Sequence, residues 1–239
     1  MYGWRARLGI LVPSGIVVTE PEFREMTPDG VSCHYHRISF QGGGIDNLKK
    51  VREGLEEATK LIMHVRPAAM AMAGTGVSFV GGYGYDQQMI QQMKEINGNL
   101  PTTTTSSSVI DAFHKLGIKN VSMAMPYGEE VALLAAKFVE DSGIEVLSKK
   151  WLGVGAPAVP RDTVPRETVY NLALEADKPD SEAMFIPCVG WHTIEIIEKL
   201  EWALQKPVIS SNQATMWNLL RLANINDKIE GYGQLLSKY

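Results

Sequence analysis

Residues 183–193 read Ala-Met-Phe-Ile-Pro-Cys-Val-Gly-Trp-His-Thr. The first four predict a buried strand, the Pro-Cys-Val-Gly segment predicts a tight turn, and a helix is expected to begin at about Trp191. A strand that passes through a short turn into a helix is typical of parallel α/β sheets, which bind ligands at the carboxyl ends of their strands. The turn would place the thiol of Cys188 beside the N–H groups of a helix N-terminus, where a thiolate or a bound carboxylate is stabilised. The alternative is a buried cysteine that only fills space.

Strand and helix patterns alternate along the whole chain. Strands are predicted at residues 7–12, 30–39, 68–73, 101–104, 119–125, 144–148, 183–186 and 207–210. Helices are predicted at residues 20–26, 46–65, 86–96, 129–142, 166–176, 192–204 and 214–223, with one more that is capped by Ser107 or Ser108 and runs through Leu116. This alternation implies parallel sheets that are covered by helices on both faces.

The second half of the chain repeats motifs of the first half in the same order. The matched segments are 11–15 with 124–128, 30–31 with 143–144, 69–70 with 183–184, and 101 with 207, at offsets between 106 and 114 residues. We therefore predict two similar Rossmann-like α/β lobes with parallel four-stranded sheets, related by a pseudo-two-fold axis, with the active site in the cleft between them. Residues 1–115 and 222–239 would form the first lobe, and residues 116–221 the second. The repeat sets Gly74 of the first lobe opposite Cys188 of the second.

The composition excludes several classes of function. The chain has 239 residues, 45% of them apolar and 21% charged, and a net charge of −4, so it has no basic surface for nucleic acid. No apolar run approaches the roughly 18 residues that cross a membrane. Pro13 interrupts the apolar run 8–12, which therefore predicts a first strand rather than a secretory signal. Two cysteines, Cys33 and Cys188, make no disulfide framework, so we expect a reducing, cytoplasmic location.

The repeated lobes carry motifs that resemble those of the Asp/Glu racemase superfamily. These motifs are Gly74-Thr75-Gly76-Val77-Ser78-Phe79, Pro126-Tyr127-Gly128 and Pro187-Cys188-Val189-Gly190. The chain is most similar to the branch that holds arylmalonate decarboxylase and maleate cis-trans isomerase, and within it to the decarboxylases. The resemblance covers residues 8 to about 233.

The resemblance implies a single catalytic thiol. Racemases and isomerases of the superfamily usually carry one cysteine in each lobe, whereas the decarboxylases have glycine in the first lobe, as this chain has at Gly74. It also assigns catalytic roles to Thr75, Tyr127 and Cys188, and a place in the substrate site to Ser78.

Four positions depart from the patterns of the relatives. Gly76 replaces a serine of the decarboxylases, and Val189 replaces a glycine. Ile16 stands where maleate isomerases have asparagine, and residues 156–159 lack their loop asparagine. The side chains that hold the second carboxylate of maleate are therefore expected to be absent.

The implied chemistry passes through a planar enediolate, which forms when a malonate loses CO2 or an acid loses an α-proton. Donors aimed at its oxygens would be the hydroxyls of Thr75 and Tyr127 and the N–H groups of Gly76, Cys188 and Val189. A cysteine thiol, with a usual pKa of about 8.5, can then return a proton to carbon at neutral pH. One thiol delivers this proton to one face only.

The remaining candidates would bind the substrate. The leaving carboxylate needs apolar surroundings that favour uncharged CO2. The candidates for this role are Pro13, Ile16, Phe40, Val77, Pro157 and Val159. The alternative for each of them is that it only packs in the core or in a loop. Residues expected to border the substrate are Gly74, Gly76, Ser78, Val189, Gly190, Pro13, Ser14, Ile16, Phe40, Val77 and Pro157.

The sequence thus predicts a cofactor-free decarboxylase of a substituted malonate or a similar dicarboxylic acid, with a small carboxylic acid as its partner and neither nucleic acid nor a membrane. One alternative is a maleate-type cis-trans isomerase or a racemase. Another is a non-catalytic relative that binds carboxylates. We predict no metal site, because His34 and His36 lack further ligands. Gly74-x-Gly76 lacks the third glycine of a dinucleotide site. His192 is expected one helical turn after Cys188, and the weaker alternative is that it acts as a base and makes Cys188 a nucleophile, as in a Cys-His hydrolase.

Overall fold

The structure is a computed structural model, and it describes residues 2–40, 42, 44–154 and 161–239. The first half contains β1 Ala6–Pro13, α1 Thr19–Glu25, β2 Val31–Ile38, α2 Ile45–Lys50, α3 Leu55–Ile62, β3 Ala69–Met72, α4 Thr75–Phe79, α5 Tyr85–Asn97, β4 Thr102–Thr104 and α6 Thr105–Leu116. The second half contains β5 Asn120–Met125, α7 Glu129–Asp141, β6 Glu145–Trp151, α8 Arg166–Ala176, β7 Ala183–Ile186, α9 Ile194–Leu204, β8 Val208–Ser210, α10 Ser211–Leu222 and α11 Gln234–Lys238.

The strands form two parallel sheets with the same topology. The first has the order β2-β1-β3-β4 and the second the order β6-β5-β7-β8. The inner strands β3 and β7 are buried along their whole length, because helices cover both faces of each sheet. The predicted fold class, two similar α/β lobes with four-stranded parallel sheets, is confirmed.

Each sheet passes directly from its last strand into a helix. Thr104 ends β4 and caps α6 by accepting the N–H of Ser107, so the predicted cap at Ser107 or Ser108 is wrong. Ser210 ends β8 and forms a capping box with Gln213 at the start of α10. The helices α6 and α10 pack against each other, and α10 also contacts β3, β4 and β8. The lobe boundaries at residues 115 and 221 stay a prediction.

Other element boundaries also differ from the sequence prediction, and α10, for example, begins at Ser211 rather than at Ala214. The helix predicted at 46–65 is divided into α2 and α3 by a 3-10 turn at Val51–Gly54. Gly54 lies so close to β2 that an added Cβ would be 2.7 Å from the side chain of Ile38. The sixth strand continues to Trp151, and residues 75–79 form the short helix α4 where no helix was predicted.

The C-terminal segment contacts both halves of the chain, and the N–H of Gln234 donates to the carboxylate of Glu201 on α9. Arg5 of the N-terminal segment forms a two-pronged ion pair with Asp227, at 2.5 and 2.7 Å. Leu235 and Leu236 of α11 are fully buried. In the described ranges, no helix combines the length and the apolar character that crossing a membrane requires.

Candidate active site

A cavity lies between the two lobes at the carboxyl ends of the strands. Its lining comprises Pro13, Ile16, Phe40, Leu48, Gly74, Thr75, Gly76, Val77, Tyr127, Val131, Arg161, Cys188 and Val189. The three residues predicted to be catalytic therefore meet in one place, and all three are at most 4% exposed. Leu48, Val131 and Arg161 were not predicted.

Other predicted site residues lie beside the cavity or away from it. Ser14 is exposed, and its hydroxyl accepts the N–H of Phe40. Ser78 is fully buried behind the Gly74 turn and donates to the Gly74 carbonyl. Gly190 lies two residues after Cys188, and its N–H donates to the sulfur of Cys188. Pro157 and Val159 fall outside the described residues.

Gly76 lies close to the side chain of Leu48. A Cβ at this position would lie 3.1 Å from one methyl carbon of Leu48 and 3.3 Å from the other. A serine at position 76 would therefore require the Leu48 side chain to shift by a few tenths of an ångström. The N–H groups of Gly76 and Val189 have no acceptor among the described residues, so both are available to a ligand.

Cys188 has an unusual backbone conformation. Its φ is 145°, a region that residues with a Cβ rarely adopt and that costs of order 1–3 kcal/mol. Its sulfur accepts the N–H of Gly190 at 3.3 Å. Strain of this kind persists where surrounding contacts hold the residue in place, and here those contacts include Ser211 and Gly190.

The predicted position of Cys188 at a helix N-terminus is wrong. The helix α9 begins at Ile194 rather than Trp191, so His192 lies in the turn before it and not one helical turn from the thiol. The N–H groups of Thr193 and Ile194 instead donate to one carboxylate oxygen of Glu22, at 2.6 and 3.2 Å. The carboxylate from α1 of the first lobe therefore occupies the helix N-terminus.

Glu22 also takes part in the support of the turn that follows Cys188. Its other carboxylate oxygen accepts a hydrogen bond from Nδ2 of Asn212 at 2.6 Å. The same Nδ2 and the hydroxyl of Thr19 each donate to the Val189 carbonyl at 3.1 Å. Burial raises the pKa of Glu22 to about 7, and the hydrogen bonds from Thr193, Asn212 and Ile194 oppose this shift.

Two hydroxyls at matching positions hold the two strand-end turns. The N–H of Gly74 donates to the Thr105 hydroxyl at 3.1 Å, and the N–H of Cys188 donates to the Ser211 hydroxyl at 3.0 Å. Thr105 and Ser211 are the first residues of α6 and α10. The pseudo-two-fold relation thus places Gly74 where the other lobe has its thiol. The N–H of Cys188, predicted as a donor to substrate, already has this protein acceptor.

Thr75 and Tyr127 provide the side-chain donors. The Thr75 hydroxyl donates to Ser211 Oγ at 2.8 Å across the lobe interface. The Tyr127 hydroxyl is buried beside the Thr75 hydroxyl and the Cys188 thiol, but it is in hydrogen-bond geometry with no described residue. A buried hydroxyl without a partner costs about 1–3 kcal/mol, which a ligand oxygen in the cavity would offset.

Arg161 brings a positive charge into this otherwise apolar and hydroxyl-lined cavity. Its guanidinium carbon lies 5.4 Å from the centre of the Tyr127 ring. Its Nε is buried and has no acceptor among the described residues.

Burial keeps both acidic groups of the site protonated at neutral pH. It raises the pKa of the Cys188 thiol, while the charge of Arg161 and the N–H of Gly190 act in the opposite direction. It also raises the pKa of Tyr127 well above its usual value, with a further rise from Cys188. The thiol and the phenol can therefore act as proton or hydrogen-bond donors.

The arrangement suits charge stabilisation and proton transfer. Two hydroxyls and two free N–H groups can meet the oxygens of an anionic ligand, and one thiol can deliver a proton. In the described parts of the chain, no three His, Cys, Asp or Glu side chains converge in a way that could hold a metal ion.

Ser211 is the supporting residue for which the sequence carries a signal. Ser211 matches Thr105 at the offset of 106 residues that relates Pro101 to Pro207. For Glu22 and Arg161 no pattern exists, because their partners lie far away along the chain.

Comparisons with known proteins place the chain among enzymes of two kinds. A sequence model of the arylmalonate decarboxylase family matches residues 8–236. The arylmalonate decarboxylase of Bordetella bronchiseptica is 27% identical, over 97% of this chain and 96% of that protein. The maleate isomerase of Geobacillus stearothermophilus is 24% identical, over 97% of each. The maleate isomerase of Pseudomonas putida S16, solved with maleate, has a TM-score of 0.92 at 22% identity, over 97% of each chain. The predicted resemblance to this branch is confirmed.

Proposed function

The chain belongs to the arylmalonate decarboxylase family, and on that basis we propose that it is a cofactor-free decarboxylase of a substituted malonate or a similar dicarboxylic acid. Cys188 is the proton donor in this proposal, and Thr75 and Tyr127 hold the oxygens of the intermediate. The observation that carries it is the unequal pair at the cavity, a thiol in one lobe and Gly74 at the matching position of the other.

The retained carboxylate binds to the free donors. These are the Tyr127 hydroxyl, the N–H groups of Gly76 and Val189, and the Thr75 hydroxyl after it rotates away from Ser211. Such fixed donors stabilise the charge that develops in the transition state, and one lost donor typically costs about 10²–10³ in rate. The absence of a serine hydroxyl at position 76 leaves the backbone N–H as the donor there.

The carbon–carbon bond to the second carboxylate then breaks. Its electron pair passes to the α-carbon and the retained carboxylate, which forms the enediolate, and CO2 leaves. Apolar side chains of the cavity, among them Pro13, Val77 and Val131, favour the uncharged product over the carboxylate.

Cys188 completes the reaction by transferring its S–H proton to the α-carbon, and water reprotonates the thiolate. The raised pKa of the buried thiol keeps this proton available at neutral pH. Because position 74 carries no side chain, the first lobe has no thiol at the position that matches Cys188. The product should therefore be a single enantiomer.

Alkylation of Cys188 tests whether substrates occupy this cavity. At a pH above the raised pKa of the thiol, iodoacetamide should modify Cys188, and an α-aryl-α-methylmalonate should protect it, as mass spectrometry of the Cys188 peptide would measure. Cys33, which lies on β2 outside the cavity, provides an internal comparison because its modification should not respond to the malonate. Alkylation of Cys188 that the malonate does not slow would contradict the proposal, and protection by maleate together with its isomerisation would favour the isomerase.

A further inference from the structure

We propose that Arg161 determines substrate specificity by binding an anionic group that the substrate keeps throughout the reaction. The inference rests on the proposed function, because it assigns the α-substituent of the malonate a negative charge. It names a chemical class: malonates whose substituent carries a carboxylate or a similar anion.

The position of Arg161 supports a role in ligand binding. Its side chain lines the cavity together with Cys188 and Tyr127, and its guanidinium carbon lies over the Tyr127 ring, 5.4 Å from the ring centre. Its Cβ lies 4.0 Å from the point where a Cβ on Gly190 would be, so the residue sits against the turn that carries the thiol. The side chain is therefore within the site and not on the outer surface of the lobe.

The absence of a protein partner is the second observation. Three other arginines have carboxylate partners: Arg5 pairs with Asp227, Arg37 with Glu20, and Arg166 with Glu195. Arg7, Arg52 and Arg221 donate instead to carbonyl or amide oxygens of the protein. Among the described residues, Arg161 has no such partner, and its buried Nε–H has no acceptor. A guanidinium that faces a cavity with unsatisfied donors is suited to bind a carboxylate through two parallel hydrogen bonds.

The chemistry of the reaction indicates which group Arg161 binds. The carboxylate that leaves must become neutral CO2, and a cation bound to it would stabilise the charged ground state and oppose that step. The retained carboxylate already has the donors of Thr75, Gly76 and Tyr127. The group left for Arg161 is an anion on the α-substituent, whose charge is the same in the substrate, the intermediate and the product.

Binding of two product analogues tests this assignment without requiring turnover. The ligands are (4-carboxyphenyl)acetate and (4-carbamoylphenyl)acetate, which have nearly the same shape and differ by one charge. By isothermal titration calorimetry, the wild-type protein should bind the charged ligand about 10- to 100-fold more tightly, the range expected for a charge-assisted hydrogen bond. Arg161→Gln should remove this preference, and Arg161→Lys should retain part of it.

A matched variant and a matched pair of substrates complete the experiment. Arg166→Gln makes the same substitution in the same lobe, at a half-exposed side chain that does not line the cavity, and should leave the preference unchanged. The corresponding α-methylmalonates, with a 4-carboxyphenyl or a 4-carbamoylphenyl group, should show the same ratio in kcat/KM.

The outcomes separate this inference from the proposed function. Equal affinity of the wild-type protein for the two ligands would overturn the role of Arg161, whatever the enzyme does with malonates. A preference that survives in Arg161→Gln would overturn it as well. A charge preference that disappears in Arg161→Gln, with no decarboxylation of either malonate, would support the binding role of Arg161 and contradict the decarboxylase.

Discussion

Replacement of Glu22 by glutamine should change how the stability of this protein depends on pH. Glu22 is fully buried, and its carboxylate links α1 of the first lobe to the N-terminus of α9 in the second. Glutamine has nearly the same size but cannot ionise. It also presents an NH2 group to Thr193, Ile194 and Asn212, which all act as donors here.

The expected magnitude follows from the pKa of Glu22. Burial raises it from 4.5 to about 7 in the folded protein, and at about 1.36 kcal/mol per pH unit this interval corresponds to about 3 kcal/mol. Because the folded state binds the proton more tightly, this stabilisation is fully present below pH 4.5 and is lost as the pH rises to about 7. Glu22→Gln lacks the titration, so the stability difference between wild type and variant should fall by about 3 kcal/mol over this range.

Urea unfolding at pH 5, 6, 7 and 8, followed by tryptophan fluorescence, measures this difference. Glu25→Gln is the control, because Glu25 lies on the same helix and is exposed. Its free energy of unfolding should stay parallel to that of the wild type. If the Glu22→Gln curve also stayed parallel to the wild type from pH 5 to pH 8, the buried carboxylate would not titrate in this range and the reasoning would be refuted.

Three further predictions concern the turn that carries the thiol. Cys188→Gly should be more stable to urea than Cys188→Ala by about 1–2 kcal/mol, because glycine tolerates the φ of 145° at this position; equal stability would show that this backbone is not strained. Ser211→Ala should lower the free energy of unfolding by about 2–4 kcal/mol, since it leaves the Thr75 hydroxyl and the N–H of Cys188 without their acceptor. Ser211→Thr keeps the hydroxyl and should therefore retain most of the wild-type stability. Gly74→Cys combined with Cys188→Ser should give product of the opposite handedness, as measured by chiral chromatography. Position 74 can accept the new side chain, because φ at Gly74 is −161° and an added Cβ meets only side-chain atoms at 3.0 Å or more. Unchanged handedness would contradict delivery of the proton from one face.

The fold was predictable because its signals are local and repeated. Apolar runs such as 183–186 marked the strands, and the matched turns at Pro13 and Pro126 revealed two lobes. Helix starts were less predictable, since the stretch after Cys188 keeps an apolar, helix-like composition although α9 begins only at Ile194. The position of that start depends on the carboxylate of Glu22, which is distant in sequence.

The candidate site was predictable only where motifs carry it. Thr75, Tyr127 and Cys188 stand in short motifs that resemble those of known relatives, and the structure brings them together at one cavity. Arg161 belongs to no motif, and its importance depends on the lack of a partner, which only three-dimensional neighbours can reveal. The space that Leu48 takes beside Gly76 is likewise a packing fact that no local pattern encodes.

Proton NMR in D2O tests the central proposal most directly. Wild type and Cys188→Ala are each incubated with α-aryl-α-methylmalonates that have a neutral or a carboxylated ring, and the products are separated by chiral chromatography. The account predicts a single α-deuterated enantiomer from the wild type and almost no product from Cys188→Ala. Equal rates for the two proteins, or a racemic product from the wild type, would contradict the assignment of Cys188 as the one proton donor. If the wild type left every malonate intact, the decarboxylase itself would be contradicted.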